Sequence, residues 1–183
     1  VKVTATPLEG VVIVEPRFFG DHRGFFMETY HQNRYKEAGI PVSFVQDNIS
    51  FSVQGTLRGL HYQHPHGQAK LVQVLQGEIY DVAVDIRHGS PDFGCWTGVT
   101  LSADNQRQLY IPEGFAHGFC VLSETALFAY KCSDFYAPEA ERGICWNDPD
   151  LGIEWPVADP VLSDRDRTYH QLKEIAVAHL PTV

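Results

Sequence analysis

GTLRGLHYQHPHGQAKLVQVLQG, from Gly55 to Gly77, holds two β-prone runs, TLRGLHYQ and AKLVQVLQG, parted by His64-Pro65-His66-Gly67. Short runs rich in Val, Leu and Tyr, bounded by glycine and proline, read as strands. Gly55 stands six positions before His61, and six residues separate Lys70 from Gly77. Further along, IPEGFAHGF at Ile111 to Phe119 spaces Pro112, Gly114 and His117 as Pro-x-Gly-x-x-His. Around these lie QDNISFS, EIYDVAVDIR, WTGVTLS, RQLYIPE, HGFCVLS and ALFAYKCSDFY, at intervals that suit a barrel or sandwich. Upstream, VVIVEPRFFGDHRGFFMETY reads as two strands and a loop. His31 to Ile40 predicts a helix of two to three turns, closed by Gly39 and stopped by Pro41. In the tail, Ser163 to Thr168 reads as a charged turn and Gln171 to Leu180 as a short helix.

Composition agrees with an all-β class. Eleven Phe, eight Tyr, fifteen Gly and eleven Pro favour many strands and turns over a helical bundle. At 183 residues one domain spanning 1–183 is expected, with the tail from about residue 167 peripheral. A net charge of −9 argues against a nucleic-acid or anionic-membrane surface, although a few of the fourteen Lys and Arg side chains can still converge on an anion. The four cysteines, Cys95, Cys120, Cys132 and Cys145, form no CxxC pair and read as reduced thiols without a functional claim. With no apolar run of membrane length and no leader pattern, a soluble cytoplasmic protein is expected.

The two glycine frames resemble the paired motifs of the cupins, which implies a cupin-type jelly-roll β-barrel or sandwich with a few short peripheral helices. On that frame the four inward positions are His61, Gln63, Lys70 and His117, and the carboxylate of the metal-binding cupins is replaced by Lys70. An open transition-metal site wants neutral imidazoles and an anionic oxygen, so a fixed ammonium beside them repels a divalent ion. No metal and no cofactor are expected, and acid–base chemistry takes their place. DHRGFFMET, QDNISFS, LRGLHYQ, AKLVQVLQGEIYDVAVDIR, IPEGFAHGF, YKCSDFYAPE, ERGICWNDP and LSDRD, in this order from about Pro7 to Asp166, resemble the dTDP-4-dehydrorhamnose 3,5-epimerase family. One departure is the His61 to Lys70 spacing, a residue shorter than the family commonly has.

That resemblance implies epimerisation at C3 and C5 of dTDP-4-dehydro-6-deoxy-D-glucose to give dTDP-4-dehydro-L-rhamnose. Protons beside a ketone are acidic because their removal gives an enolate. The enzyme therefore needs a base on one face, an acid on the other and a positive group at the ketone oxygen. His61 suits the base. The resemblance pairs it with Asp166 rather than the neighbouring Asp164, makes Tyr130 the acid, and sets Lys70 at the enolate oxygen. By the same resemblance Arg23 and Arg58 contact the diphosphate, and Phe26 and Tyr136 stack on thymine. Glu28, Gln46 and Asn48 then read the base edge or the deoxyribose, while His117 and Glu141 contact substrate. Plainer readings stand beside these: His117 as a hydrogen-bonded barrel residue, Tyr136 as packing, and His64 and His66 as loop surface. A homodimer in which N-terminal residues enter the neighbouring pocket is also implied. Three rival functions are a mono-epimerase acting at C3 or C5 only, a metal-dependent cupin oxygenase or isomerase, and a non-catalytic nucleotide-sugar binding module.

Overall fold

A computed structural model describes residues 1–183. Its strands are β1 (Lys2–Ala5), β2 (Val12–Glu15), β3 (Phe18–Asp21), β4 (Gly24–Met27), β5 (Gln46–Val53), β6 (Leu57–Gln63) and β7 (Lys70–Gln76). They continue with β8 (Glu78–Asp85), β9 (Trp96–Ser102), β10 (Gln108–Ile111), β11 (Phe115–Val121), β12 (Thr125–Cys132) and β13 (Glu141–Gly143). One helix, α1 (Gln32–Glu37), stands among them. A six-stranded sheet runs β1-β2-β10-β7-β12-β5, a five-stranded sheet runs β13-β6-β11-β8-β9, and β3-β4 forms a separate hairpin. The two large sheets face each other as a jelly roll, the class that the glycine frames imply.

Strand alternation divides the space between the sheets. On β12 and its neighbours, Gln46, Cys132 and Lys70 are cross-strand partners in one row, and Asn48, Tyr130 and Val72 in the next. Ser50 and Phe128 pair in the row after that. Partners of this kind carry their side chains on one face, about 5 Å apart. The inner face therefore grades from polar at one end to apolar at the other. The apolar end joins Val72, Val74, Ile79, Leu101, Phe119 and Phe128 in a buried cluster. Phe119 and Phe128 stack there with ring centroids 4.4 Å apart. Each such side chain contributes roughly 1.5–3 kcal/mol by leaving water. On the outer face of the five-stranded sheet, Leu60, Tyr62, Val82 and Val84 pack against Ile144, Leu151, Leu172 and Leu180, so the C-terminal segment covers that sheet.

Two local expectations are corrected. The stretch VVIVEPRFFGDHRGFFMETY forms three strands rather than two, because Pro16 ends β2 and the Asp21-His22-Arg23-Gly24 turn folds β3 back on β4 with Phe18 stacked on Phe25 at 4.9 Å. Gln171 to Leu180 is not a continuous helix but two 3₁₀ turns, Leu172–Glu174 and Val177–His179, with extended backbone at Ile175 and Ala176. A ten-residue helix is marginal alone, and the broken path lets Leu172, Ile175 and Leu180 all reach the sheet. The helix expected over His31 to Ile40 is present as α1, shorter than read, capped by His31 and followed by Gly39 at φ +96°. No helix is long and apolar enough to cross a membrane.

The turn of β6 toward the inside depends on Gly59. Its φ is +131°, and a Cβ there would lie 2.5 Å from the Gly118 Cα. The β6–β11 register shifts at this point, with Arg58 opposite Phe119 and His61 opposite His117. Three residues apart, Arg58 and His61 would point to opposite faces of a regular strand. The irregularity lets both enter the gap between the sheets. Gly59→Ala is expected to cost about 2–4 kcal/mol through strain and overlap, read as a fall in the urea midpoint at unchanged m-value. A loss under about 0.5 kcal/mol would mean the backbone relaxes freely there.

Candidate active site

At the polar end the two sheets enclose a cavity of about 340 Å³ lined by Gln46, Asn48, Lys70, Tyr130 and Cys132 from the six-stranded sheet and by His61, Gln63 and Glu141 from the five-stranded one. Gln68 and Tyr136, from the connecting loops, complete the wall. The rim is tied by side-chain amides. Gln46 accepts the Tyr136 N–H at 2.9 Å and donates to Asn48 at 3.0 Å. Gln63 accepts the Ala137 N–H at 2.9 Å and donates to the His66 carbonyl at 2.8 Å. These bonds fix the loop after β12 against the ends of β5 and β6.

His61 and Asp166 meet at 2.6 Å, Nε2 to Oδ1, with the carboxylate buried and the imidazole half-buried. Asp166 comes from the Ser163 to Thr168 turn, where its own N–H donates to the Ser163 Oγ at 3.1 Å. Asp164 is exposed in the same turn. An ionised carboxylate accepts but cannot donate, so the network assigns the imidazole proton to Nε2 and leaves Nδ1 facing no protein partner. Tyr130 lies on the opposite sheet. Burial raises its phenol above the ordinary value against the opposing pull of the Arg58 guanidinium, so at neutral pH it keeps its proton. Lys70, also on that sheet, takes part in none of the protein's ion pairs. Burial lowers its pKa, offset in part by the more distant charges of Cys132, Asp81 and Glu141. Lys70 reaches the same cavity as His61 despite the shortened loop between them.

His117 does not line the cavity. It is buried, with Nε2 3.0 Å from both carboxylate oxygens of the fully buried Asp81. Burial pushes the His117 imidazole down and the Asp81 carboxyl up, each toward its neutral form. Glu141 accepts from the Tyr136 hydroxyl at 2.6 Å and pairs with Arg165. Arg58 is exposed at its tip and donates from Nε to the Ser52 Oγ at 3.0 Å. The N-terminal candidates stand elsewhere. Arg23 pairs with Asp21 at 2.6 Å on the exposed β3–β4 hairpin, together with Phe26, 69 % exposed. Glu28 holds Arg34 beside α1 at 2.7 Å. Within one protomer, then, Arg23, Phe26 and Glu28 are not brought to the cavity that holds His61.

Sequence reading passed over Asp81, Cys132, Arg165 and Tyr169. Asp81 sits in the strand EIYDVAVDIR as a polar residue among apolar ones, a signal that a buried partner is needed. Arg165 and Tyr169 flank Asp166, and only the fold of the turn brings them to the rim. No group of three or more His, Cys, Asp or Glu side chains converges in a metal-holding cluster.

With this geometry in view, comparison with known proteins is specific. A family model described as dTDP-4-dehydrorhamnose 3,5-epimerase matches residues 5–174. The dTDP-4-dehydrorhamnose 3,5-epimerase of Pseudomonas aeruginosa is 60 % identical over 168 residues, covering 91 % of this chain and 93 % of that one. A Legionella pneumophila dTDP-6-deoxy-D-glucose-3,5-epimerase, solved in complex with dTDP-4-keto-L-rhamnose, superposes with a TM-score of 0.97 at 52 % identity, over 100 % of this chain and 98 % of that one. The dTDP-4-dehydrorhamnose 3-epimerase of Streptomyces niveus is 43 % identical over 175 residues, 94 % of this chain and 84 % of that one.

A lysine whose folded pKa is depressed costs stability below that pKa, and the cost fades as pH rises through it toward the unfolded value. Lys70→Met is therefore expected to stabilise the protein by about 1 kcal/mol in urea titrations at neutral pH, with the advantage shrinking toward alkaline pH. Its kcat should fall roughly 10²–10³-fold if the ammonium meets developing negative charge. A variant both less stable and fully active would contradict this assignment of Lys70.

Proposed function

We propose that this chain, which belongs to the dTDP-4-dehydrorhamnose 3,5-epimerase family, inverts C3 and C5 of a dTDP-linked 4-keto sugar by proton transfer between two opposed sheets. The protein is an epimerase that converts dTDP-4-dehydro-6-deoxy-D-glucose to dTDP-4-dehydro-L-rhamnose in rhamnose biosynthesis. The observation that carries the mechanism is the opposition itself. The His61–Asp166 pair stands on one wall of the cavity and the Tyr130 phenol on the other, in company with an unpaired ammonium.

In this mechanism His61 Nδ1 takes the proton from the carbon beside the C4 ketone, and Asp166 stabilises the imidazolium that forms. The electron pair moves onto the ketone oxygen, where Lys70 offsets the new charge. Tyr130 then gives its proton to the opposite face of the carbon, inverting it, and regains one from solvent, while the His61 imidazolium returns the abstracted proton to solvent and is again a base. The second carbon follows by the same steps after the ring reorients. Each acid or base is worth roughly 10²–10⁴-fold. No electrons leave the sugar, so the balance calls for no redox cofactor.

Arg58 and Arg23 hold the diphosphate, Tyr136 and Phe26 enclose the thymine, and Gln46, Asn48, Glu28 and Glu141 read the base and sugars. His117 acts through the wall, as a neutral partner of Asp81, rather than by touching the sugar. A pocket shared by two chains, which the resemblance implies, fits the isolation of the β3–β4 hairpin from the His61 cavity. Phe18, Phe19, Phe25 and Phe26 on it are 47–69 % exposed, and Ile49, Phe51 and Val53 on the outer face of β5 are 54–66 % exposed. A homodimer that lends each hairpin to its partner covers this apolar surface and brings Arg23 and Phe26 to the nucleotide. Four free thiols suit a reducing, cytoplasmic setting.

Similarity to the Streptomyces niveus 3-epimerase keeps a single inversion as the second reading. Incubation with dTDP-4-dehydro-6-deoxyglucose in D₂O, followed by reductive trapping and NMR, separates the two. Deuterium at both C3 and C5 with L-configured product is expected. Label at one carbon only would move the assignment to a mono-epimerase, and none at either would leave a binding module.

A further inference from the structure

One turn delivers two side chains to His61. Asp166 takes its Nε2, and Tyr169, three residues later, sets its ring against the imidazole at 5.8 Å between centroids and 73° between planes. That is an edge-to-face contact within the range aromatic pairs prefer. The turn is closed by the Thr168 N–H and hydroxyl on the Arg165 carbonyl at 3.0 and 2.8 Å, and is pinned beyond Tyr169 by the Cys145 N–H on the His170 carbonyl at 2.9 Å. Room for the ring comes from β13. Gly143 is the cross-strand partner of His61, where a side chain would stand directly beside the imidazole. A Cβ on Gly143 would lie 2.2 Å from the Tyr169 ring. The chain thus omits the nearest neighbour of the base and fills its place from a distant segment.

We infer that Tyr169 is a positioning residue for the base: its ring, lodged over Gly143, holds the His61 imidazole in the orientation that keeps Nε2 on Asp166 and turns Nδ1 to the cavity. The ring carries this role and the hydroxyl does not. The Tyr169 Oη is buried without any hydrogen-bond partner, so a phenylalanine would lose nothing there. Burial also pushes the phenol up to about 12, which keeps it neutral beside Glu141 and Asp166. Without the ring, the imidazole is free to swing about its side-chain bonds, and a displacement of about 1 Å at a reacting group can cost on the order of a hundredfold in rate.

This inference rests on His61 as the base, and the test separates the two. Tyr169→Phe, Tyr169→Ala, Gly143→Ala and His61→Ala are compared for kcat, KM, deuterium exchange into substrate and the dissociation constant of dTDP. Tyr169→Phe should keep kcat within about twofold of wild type. Tyr169→Ala and Gly143→Ala should each lower kcat and exchange by about tenfold to a hundredfold while dTDP binds within about threefold of wild type. Gly143→Ala displaces the ring without deleting it, so it reads the same contact if Tyr169→Ala does not fold. Wild-type kcat in both alanine variants would overturn the inference, as would a Phe variant as damaged as the Ala variant, or a rate loss matched by lost dTDP affinity. Exchange surviving in His61→Ala would instead overturn the base assignment beneath it. An inert His61→Ala beside a fully active Tyr169→Ala would overturn the positioning role alone.

Discussion

Lys70 is a cation set into the gap between two sheets with no carboxylate in direct ion-pair contact, only the more distant Asp81 and Glu141, and the rest of the interior is arranged around that cost. Half-buried on the cavity wall, the ammonium loses part of its water shell, and that burial lowers its pKa. The sheets meet the cost by segregation along their length. Toward one end Phe119, Phe128, Val72 and Val74 close the gap with apolar contact. Toward the other, Gln46, Asn48, Gln63 and Glu141 keep it polar and open. The same strands supply both ends, because alternation places residues two apart on one face. The stability of the core and the exposure of the site are thus set by the same register, and a slip of one residue would lose both.

The site is also assembled from segments far apart in the chain. His61 lies on β6, Tyr130 on β12 and Asp166 in a turn beyond the last strand. What unites them is the packing of the C-terminal segment across the five-stranded sheet, where Leu172 and Leu180 bury against Leu60 and Tyr62. Those two residues neighbour His61 in β6 but point outward, so the contact that covers the sheet also carries Asp166 to the imidazole. Fold and chemistry share one anchoring surface. The proposed mechanism uses an asymmetry the architecture already has: two facing walls, one carrying the His61–Asp166 pair and the other Tyr130.

Much of this was legible in the sequence because glycine and proline punctuate strands strongly. Gly55, Gly77, Pro112 and Gly114 frame strands whose type the structure bears out, and the jelly roll follows from them. The lengths of the peripheral elements were less legible. Gln171 to Leu180 has helix-forming residues, but Leu172, Ile175 and Leu180 gain more from facing the sheet than from a hydrogen-bonded turn. The β3–β4 hairpin hid behind the turn residues that make it. Side-chain partnerships were the hardest to read. His117 carries no mark in the sequence of its bond to Asp81, since the two lie 36 residues apart and meet only through the β8–β11 register. Tyr169 is invisible for a similar reason: its neighbour His61 becomes its neighbour only because Gly143 has no side chain.

The central claim is that deprotonation and reprotonation belong to opposite walls. Solvent deuterium exchange followed beside configuration at C3 and C5 in Tyr130→Phe tests it most directly. The account predicts that this variant still exchanges the substrate proton, through the intact His61–Asp166 pair, but loses inversion. Wild-type yields of inverted product from Tyr130→Phe, or loss of exchange together with inversion, would contradict a base and an acid held on separate sheets.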